Sequence, residues 1–310
     1  MAVRMIAAAE LARGLSMRDA VEALENAFRT DRLPTSTKQR SGLKNGELLV
    51  MHSSDDQAAG VKILTINPSN PDQDRPLIQG AYVLFSDVLG PAAIIDGAAL
   101  TELRTAAVSG LATRLLARQD ARRLVLFGAG AQARAHLEAM RAVRSIEEVK
   151  IVGRTPARAA RLAERASAMG LKADVASADA VADADIVCTC TTATEPLFNG
   201  SLLPDGVHIN AIGAHRAHAT ELDSETIRRG WLVVETREAA LAEAEDILVL
   251  LESGEINSGH IIADLPELVR GKNVRARPGD VTIFKSVGIA YEDLVIARTA
   301  FGRLGEGEYS

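Results

Sequence analysis

The chain has 310 residues, of which 47% are hydrophobic and 25% charged, and it is long enough for two globular domains. A formal net charge of −6 argues against nucleic acid and anionic membranes as partners, and 3% aromatic residues argue against a base-stacking surface. No apolar run approaches the roughly 20 residues of a membrane span. Glu10 and Arg13 interrupt the short apolar stretch near the N-terminus, so we expect a cytoplasmic protein without a signal peptide.

The first third of the sequence mixes helical and strand patterns. Met17, Val21, Leu24 and Phe28 recur at helical spacing after Ser16, a residue type that caps helix N-termini. Strand-like segments separated by Gly, Asn, Pro and Asp come next and favour an antiparallel sheet: GELLVMHS, AAGVKILTINP and GAYVLFSD. The segment GAALTELRTAAVSGLATRLLAR then predicts a long helix.

From Arg122 onward, short apolar strands alternate with helices rich in Ala and Arg. The predicted strands are RLVLFG, VKIVG, KADVA, ADIVCTCT, VHINAIG and WLVVET. Such strands, joined by helices, are typical of a parallel sheet covered on both faces, so we predict an α/β fold with a Rossmann-type doubly wound sheet over residues 119–289. The tail, DVTIFKSVGIAYEDLVIARTAFGRL, predicts a strand and a long helix that leave this domain and pack on the first. Residues 1–118 with 290–310 are then an α+β domain formed from both chain ends.

The segment LVLFGAGAQARAHLEAM predicts a strand, a G-x-G-x-x-A turn and a helix. Gly128 permits the tight turn, Gly130 lets the backbone approach a pyrophosphate, and Ala133 is small enough for close helix–strand packing. The helix N-terminus offers N–H groups and a positive dipole end to phosphates. This context predicts a dinucleotide site.

The second strand of that domain ends in GRTPAR. An NAD site has Asp or Glu near this point for the ribose 2′-hydroxyl, whereas this chain has Arg154, Thr155 and Arg158. A guanidinium can bind a 2′-phosphate that a carboxylate would repel. We therefore predict NADP(H) as the preferred cofactor and NAD(H) as the second candidate. The alternative is that both arginines belong to a solvated helix face.

Three cations from separate elements of the first domain suit a small carboxylate substrate. Lys62 lies in an apolar strand, where a lysine is unusual, and Arg104 and Arg40 lie in the segments LRTAAVSG and KQRSG. The alternative for each is a surface side chain with a buried aliphatic stem. Cys188 and Cys190 lack the grouping of a zinc site and are predicted to be reduced core thiols, and we predict no metal site.

Several of these segments together resemble the ornithine cyclodeaminase/mu-crystallin family over about residues 35–297: GVKILT, ELRTAAVSGLAT, FGAGAQARAH, GRTPARA, ADIVCTCTTATEPLF, HINAIGAH…ELD and IFKSVGIAYEDLV. The resemblance implies a homodimer whose first domains, which bind substrate, join in a shared sheet. It implies that Lys62 and Arg104, helped by Arg40, hold the carboxylate of a small amino or imino acid. It also implies that further residues lie along the cofactor: Thr105, Ala131, Gln132, Thr191, Ile212 and Ser286. Arg154 and Thr155 stand where NADPH-using members carry a similar pair.

His215 departs from the family's cyclodeaminases, which carry an Asp there as acid/base for the amine. The reaction that survives this change is reduction of a C=N bond. We predict an NAD(P)H-dependent oxidoreductase that converts Δ1-pyrroline-2-carboxylate and/or Δ1-piperideine-2-carboxylate to L-proline or L-pipecolate. His215 or Lys62 supplies the proton, and otherwise His215 is a bystander at the cofactor edge.

Three alternatives stay open. One is an alanine-type amino-acid dehydrogenase of the same family, and another is a cyclodeaminase that works despite His215. The third is a non-catalytic, NADPH-dependent ligand-binding protein of mu-crystallin type.

Overall fold

The computed structural model describes residues 3–30, 33–34, 36–73, 75–86, 90–214 and 219–305. The chain divides into two compact units, the first made of residues 1–107 and 289–310 and the second of residues 108–288. The sequence predicts this division after residue 118, at the end of a long helix. In the structure it falls inside that helix, because the two halves of the helix pack in different units.

The first unit is a six-stranded sheet with helices. Its elements, numbered along the chain, are β1 (Arg4–Ile6), α1 (Ala8–Gly14), α2 (Met17–Phe28), β2 (Ser36–Leu43), β3 (Gly46–Ser54), β4 (Ala59–Ile66), β5 (Ile78–Phe85), β6 (Pro91–Asp96), the start of α3 (Gly97–Leu116), and α10 (Ala290–Leu304). The strand order is β1-β6-β5-β4-β3-β2, and all neighbours are antiparallel except β1 and β6. The predicted antiparallel sheet is thus present.

The two faces of this sheet differ. On one face, side chains of β3 and β4 form a core with α10: Leu49, Met51, Leu64, Ile66 and Ala290. The opposite face, here called the open sheet face, carries Met5, Leu43, Val50, Val61, Ile63, Val83 and Ile94, all exposed or half-buried. Met5 is 67% exposed and Ile63 45% exposed, so apolar side chains remain in contact with solvent across several strands.

The second unit is an eight-stranded parallel sheet. It contains the end of α3 and, in chain order, β7 (Arg123–Phe127), α4 (Ala131–Val143), β8 (Glu148–Val152), α5 (Pro156–Ala168), β9 (Lys172–Val175), β10 (Ile186–Thr189), β11 (His208–Ala211), α6 (Ser224–Arg229), β12 (Trp231–Val234), α7 (Arg237–Glu243), α8 (Glu245–Glu252), β13 (Ile261–Asp264), α9 (Leu265–Val269) and β14 (Thr282–Lys285). The strand order is β13-β12-β14-β11-β10-β7-β8-β9, so β8 and β9 follow β7 on one side and β10 and β11 lie on its other side. Doubly wound sheets bind ligands in the crevice at such a switch point, here between β7 and β10.

The helix and the strand of the tail lie in different units. The helix, α10, belongs to the first unit, and the strand, β14, belongs to the parallel sheet of the second. β14 pairs with β11 on one side and β12 on the other, and its residues are all buried. A short apolar strand gives no local signal of its neighbours, and this one fills a gap between two strands that are consecutive in the sequence.

Helix termini follow the local sequence. The Ser16 side chain accepts a hydrogen bond from the Asp19 backbone N–H at 3.2 Å, so the predicted cap of α2 is confirmed. Phe28, at the other end of α2, packs edge to face on Tyr291 of α10 with ring centroids 6.3 Å apart. Among the described helices, none combines the length and hydropathy that crossing a bilayer requires.

Candidate active site

The glycine turn after β7 has the geometry of a phosphate-binding loop. Gly128 has φ of +100°, and a Cβ there would lie 2.4 Å from the Cys190 carbonyl oxygen, so only glycine fits. Gly130 is the N-cap of α4, with no side-chain cap, and a Cβ there would meet nothing within 4 Å. Open space therefore lies beside the first-turn N–H groups of α4, and these residues fit the pyrophosphate of a dinucleotide.

The other predicted cofactor residues of the second unit lie at the same carboxyl edge of the sheet. Ala131 and Gln132 form the first turn of α4, and Thr155 is the N-cap of α5. Arg154 lies in the loop after β8, and Arg158 lies in the first turn of α5; both are exposed, and Arg154 Nη2 donates to Thr192 Oγ1 at 3.5 Å. Both arginines therefore follow the second strand within a few residues, as a site for a 2′-phosphate requires.

Glu221, which is not among the residues predicted from the sequence, joins the loops after β10 and β11. Its Oε1 accepts from Thr191 N at 2.9 Å and from Thr191 Oγ1 at 2.6 Å. Its Oε2 accepts from Thr189 Oγ1 at 2.7 Å and from Gly213 N at 2.6 Å. This fully buried carboxylate fixes Thr191 and the backbone next to Ile212, two predicted cofactor residues.

Two more buried acids hold the neighbouring loops. Glu235 accepts from Ser286 Oγ at 2.6 Å and from the backbone N–H of Gly288 at 2.8 Å. Asp246 accepts from Lys285 Nζ at 2.6 Å and from Glu221 N at 2.8 Å. The loop after β14, with the predicted cofactor residue Ser286, is therefore fixed by carboxylates far away in sequence. The one sequence signal for these contacts is an acidic residue in each segment. Many acidic residues at the surface look the same in a sequence.

In the first unit, the structure brings Lys62 and Arg104 together around two carboxylates. Lys62 Nζ lies 2.8 and 2.7 Å from the two carboxylate oxygens of Asp293. Arg104 Nη1 lies 2.9 Å from Glu292 Oε2, and its Nε lies 3.2 Å from Asp293 Oδ1. All four side chains are buried, and burial lowers the pKa of Lys62 to about 8 against the opposing charge of Asp293.

Two further predicted residues of this unit, Arg40 and Thr105, have no ion pair with that cluster among the described contacts. Arg40, on the edge strand β2, is exposed and forms an ion pair with Glu47 at 2.9 Å. It shares a sheet face with Lys62, two strands away, but the structure pairs it with a residue of β3. Thr105 is buried in α3, next to Arg104.

The histidines differ in what the structure describes of them. His215 lies outside the described residues, so its role stays a prediction. His208 and His136 are fully buried, and burial lowers their pKa values to about 3 and about 4, which keeps both neutral. His136 Nδ1 donates to the Gln132 carbonyl at 2.8 Å, so its Nε2 accepts from Ser109 Oγ at 3.0 Å.

The two cysteines are free, as predicted. Cys188 is fully buried and burial raises the pKa of its thiol to about 12, whereas Cys190 is half-buried. Within the described ranges, no group of His, Cys, Asp and Glu side chains is arranged to hold a metal ion.

Comparison with known proteins relates this architecture to enzymes. The profile of the ornithine cyclodeaminase/mu-crystallin family matches residues 2–308. A Δ1-pyrroline-2-carboxylate reductase of Bacillus cereus is 38% identical over 253 residues, 80% of this chain and 78% of the relative. The structure of the Thermococcus litoralis Δ1-pyrroline-2-carboxylate reductase in complex with NADH and L-proline matches with a TM-score of 0.92 and 35% identity over 97% of each chain. An archaeal alanine dehydrogenase dimer with bound NAD matches with a TM-score of 0.90 and 30% identity, over 98% of this chain and 96% of that one.

These matches test the predicted fold class and the predicted class of enzyme. The α/β fold with a Rossmann-type sheet is confirmed, and so is the class of enzyme, a nicotinamide-dependent oxidoreductase. The neighbours were solved with NADH or NAD, so they do not test the preference for NADP(H). The family profile extends along nearly the whole chain, and the 38% identical relative covers most of it. The chain therefore belongs to the ornithine cyclodeaminase/mu-crystallin family.

Proposed function

We propose that this protein reduces a cyclic ketimine acid, Δ1-pyrroline-2-carboxylate and/or Δ1-piperideine-2-carboxylate, to L-proline or L-pipecolate, with NADPH as the preferred donor. The observation that carries the proposal is the buried pair of cations, Lys62 and Arg104, in a chain 38% identical to a Δ1-pyrroline-2-carboxylate reductase. A small carboxylate anion is the ligand that two such cations suit, with Arg40 as a third contact.

The chain's own residues have two tasks in this reaction, to hold the substrate and to supply a proton. When bound, the nicotinamide cofactor supplies a hydride to the imine carbon. The nitrogen then needs one proton, and the C=N bond becomes CH–NH. With a pKa of about 8, Lys62 is mostly an ammonium at pH 7 and still acid enough to donate. It is left as a neutral amine that regains a proton from solvent. His215 is the second candidate for this role.

The preference for NADPH is supported by charge. Residues 153–158 contain two exposed arginines and no carboxylate. A 2′-phosphate adds charge and acceptor oxygens that a guanidinium binds with two parallel hydrogen bonds. NAD(H) remains the second candidate cofactor, since the Thermococcus litoralis neighbour was solved with NADH.

We also propose a homodimer, working in the cytoplasm. The open sheet face supports the dimer, because apolar side chains exposed over several strands are typical of a surface that another chain covers. The two free thiols agree with a reducing compartment.

A second candidate, an alanine-type dehydrogenase, is favoured by the alanine dehydrogenase neighbour. The test is a panel in which NADPH and NADH are combined with the five-membered imine, the six-membered imine, and pyruvate plus ammonia, with loss of absorbance at 340 nm as readout. We expect turnover of a cyclic imine with NADPH. Turnover of pyruvate plus ammonia alone would favour the dehydrogenase, and ammonia released from ornithine or lysine would favour a cyclodeaminase. Cofactor binding without turnover of any substrate would favour a binding protein.

A further inference from the structure

The buried cations of the first unit already have counter-ions within the chain. Asp293, at the start of α10, holds Lys62 Nζ on β4 across 231 residues of sequence. Arg104 Nη1 donates to Glu292, the residue before Asp293, at 2.9 Å. Two neighbouring carboxylates of one helical turn therefore face the two cations: Glu292 contacts Arg104, whereas Asp293 contacts Lys62 and also lies 3.2 Å from Arg104 Nε.

The charges around Lys62 balance without a ligand. Lys62 and Arg104 contribute two positive charges, and Glu292 and Asp293 two negative ones. Tyr82, the cross-strand partner of Lys62 on β5, is also titratable, and burial raises the pKa of its phenol so that it stays neutral. Beyond it lies the ion pair of Arg298 with Asp55, which contributes no net charge. A substrate carboxylate would add one negative charge and favour the ammonium form of Lys62 further.

The two cations differ in what a counter-ion can do for them. A guanidinium keeps its proton in proteins, so Glu292 orients Arg104 without changing its charge. Glu292 also favours the ammonium form of Lys62, but less than Asp293 does. A lysine loses its charge when burial is not compensated, and the pKa of Lys62 is already lowered by burial. A neutral Lys62 would neither attract a carboxylate nor donate a proton.

We propose that Asp293 is a positioning residue that fixes the Lys62 ammonium and retains its proton until the substrate nitrogen accepts it, while Glu292 fixes the orientation of Arg104. The proposal rests on the proposed function for its catalytic part. Its electrostatic part concerns the protein without ligand.

The electrostatic part is tested by NMR of protein labelled with ¹³C at lysine Cε, titrated without substrate, with the Lys62 signal assigned from a Lys62→Met variant. We expect Asp293→Asn to lower the titration midpoint of Lys62 by about 1–3 pH units. Glu292→Gln is the matched control, since it removes the same charge from the adjacent buried position. It should shift that midpoint much less. Equal shifts in the two variants, or an unchanged midpoint in Asp293→Asn, would overturn the proposal.

The catalytic part is tested on whichever imine the wild type turns over. Asp293→Asn should move the basic limb of kcat/KM to lower pH, while Glu292→Gln should raise KM and leave the position of that limb near the wild type. If Asp293→Asn does not fold, Asp293→Glu keeps the charge but moves it by one methylene. It should preserve the titration of Lys62 and lower kcat/KM, and wild-type kcat/KM would contradict positioning. If the wild type reduces no imine, the proposed function fails, but the NMR titration still decides the role of Asp293.

Discussion

Glu221 offers a direct test of how the loops at the carboxyl edge of the parallel sheet are held. One carboxylate accepts four hydrogen bonds, two on each oxygen, from Thr189, Thr191 and Gly213. In Glu221→Gln, one oxygen becomes an NH₂ group that faces either the Thr191 N–H or the Gly213 N–H. Neither backbone donor can reverse its role. The threonine hydroxyl on the same side can turn to accept from the NH₂, but the backbone N–H cannot. One charge-assisted bond worth about 1.5–3 kcal/mol is then lost, so we expect the free energy of unfolding to fall by roughly that amount.

The assay is urea unfolding at fixed protein concentration without cofactor, followed by circular dichroism. Thr189→Val removes a single donor and should cost a similar amount. Glu195→Gln, in an exposed part of the same loop region, should stay within about 0.5 kcal/mol of the wild type. A Glu221→Gln protein within about 1 kcal/mol of the wild type would refute the reasoning, because it would mean that these loops do not depend on the carboxylate.

Three further predictions concern cofactor choice, pH and assembly. Arg154→Ala should lower the ratio of kcat/KM for NADPH over NADH about 10–100-fold, with exposed Arg161→Ala as control, and an unchanged ratio would contradict the proposed preference. The pKa of His136 is about 4 when folded and about 6.5 when unfolded, so the unfolded chain binds more protons between these values. His136 should then contribute a loss of about 1.4 kcal/mol of stability per unit as pH drops from 6.5 to 4, in addition to the loss from His208, and urea midpoints of His136→Gln should show a shallower decline. Ile63→Asp should halve the mass seen by light scattering if the open sheet face is the dimer interface, whereas Val175→Asp, equally exposed in the other unit, should leave it unchanged.

The fold could be predicted as far as local patterns reach. Buried strands alternating with amphipathic helices, and a glycine turn between β7 and α4, define a Rossmann-type sheet from the sequence alone. The place of β14 could not be predicted, because pairing between β11 and β12 depends on packing and not on its four residues. The strand β13, likewise, is too short to give a periodic signal.

The cations of the candidate site can be predicted from their residue type. The buried acids that pair with side chains and loops of the site cannot. Lys62 in an apolar strand indicates a buried cation that needs an anion, and the anion predicted from the sequence is the substrate carboxylate. The structure shows an internal one, Asp293, that a reader of the sequence sees only as one of many helical acids. Glu221 and Asp246 escaped notice for the same reason, since burial is what distinguishes them from surface carboxylates.

The separation of Lys62 from Asp293 has a consequence for synthesis of the chain. A ribosome adds about 5–20 residues per second, so the 231 residues between them take on the order of 10–50 s. During that interval the β4 lysine has no counter-ion, and burying a lone ammonium is strongly unfavourable. The second unit, residues 108–288, is continuous and can fold in the meantime. We therefore expect the sheet of the first unit to close around Lys62 only after α10 has left the ribosome, so the cation cluster is the last part of the protein to form.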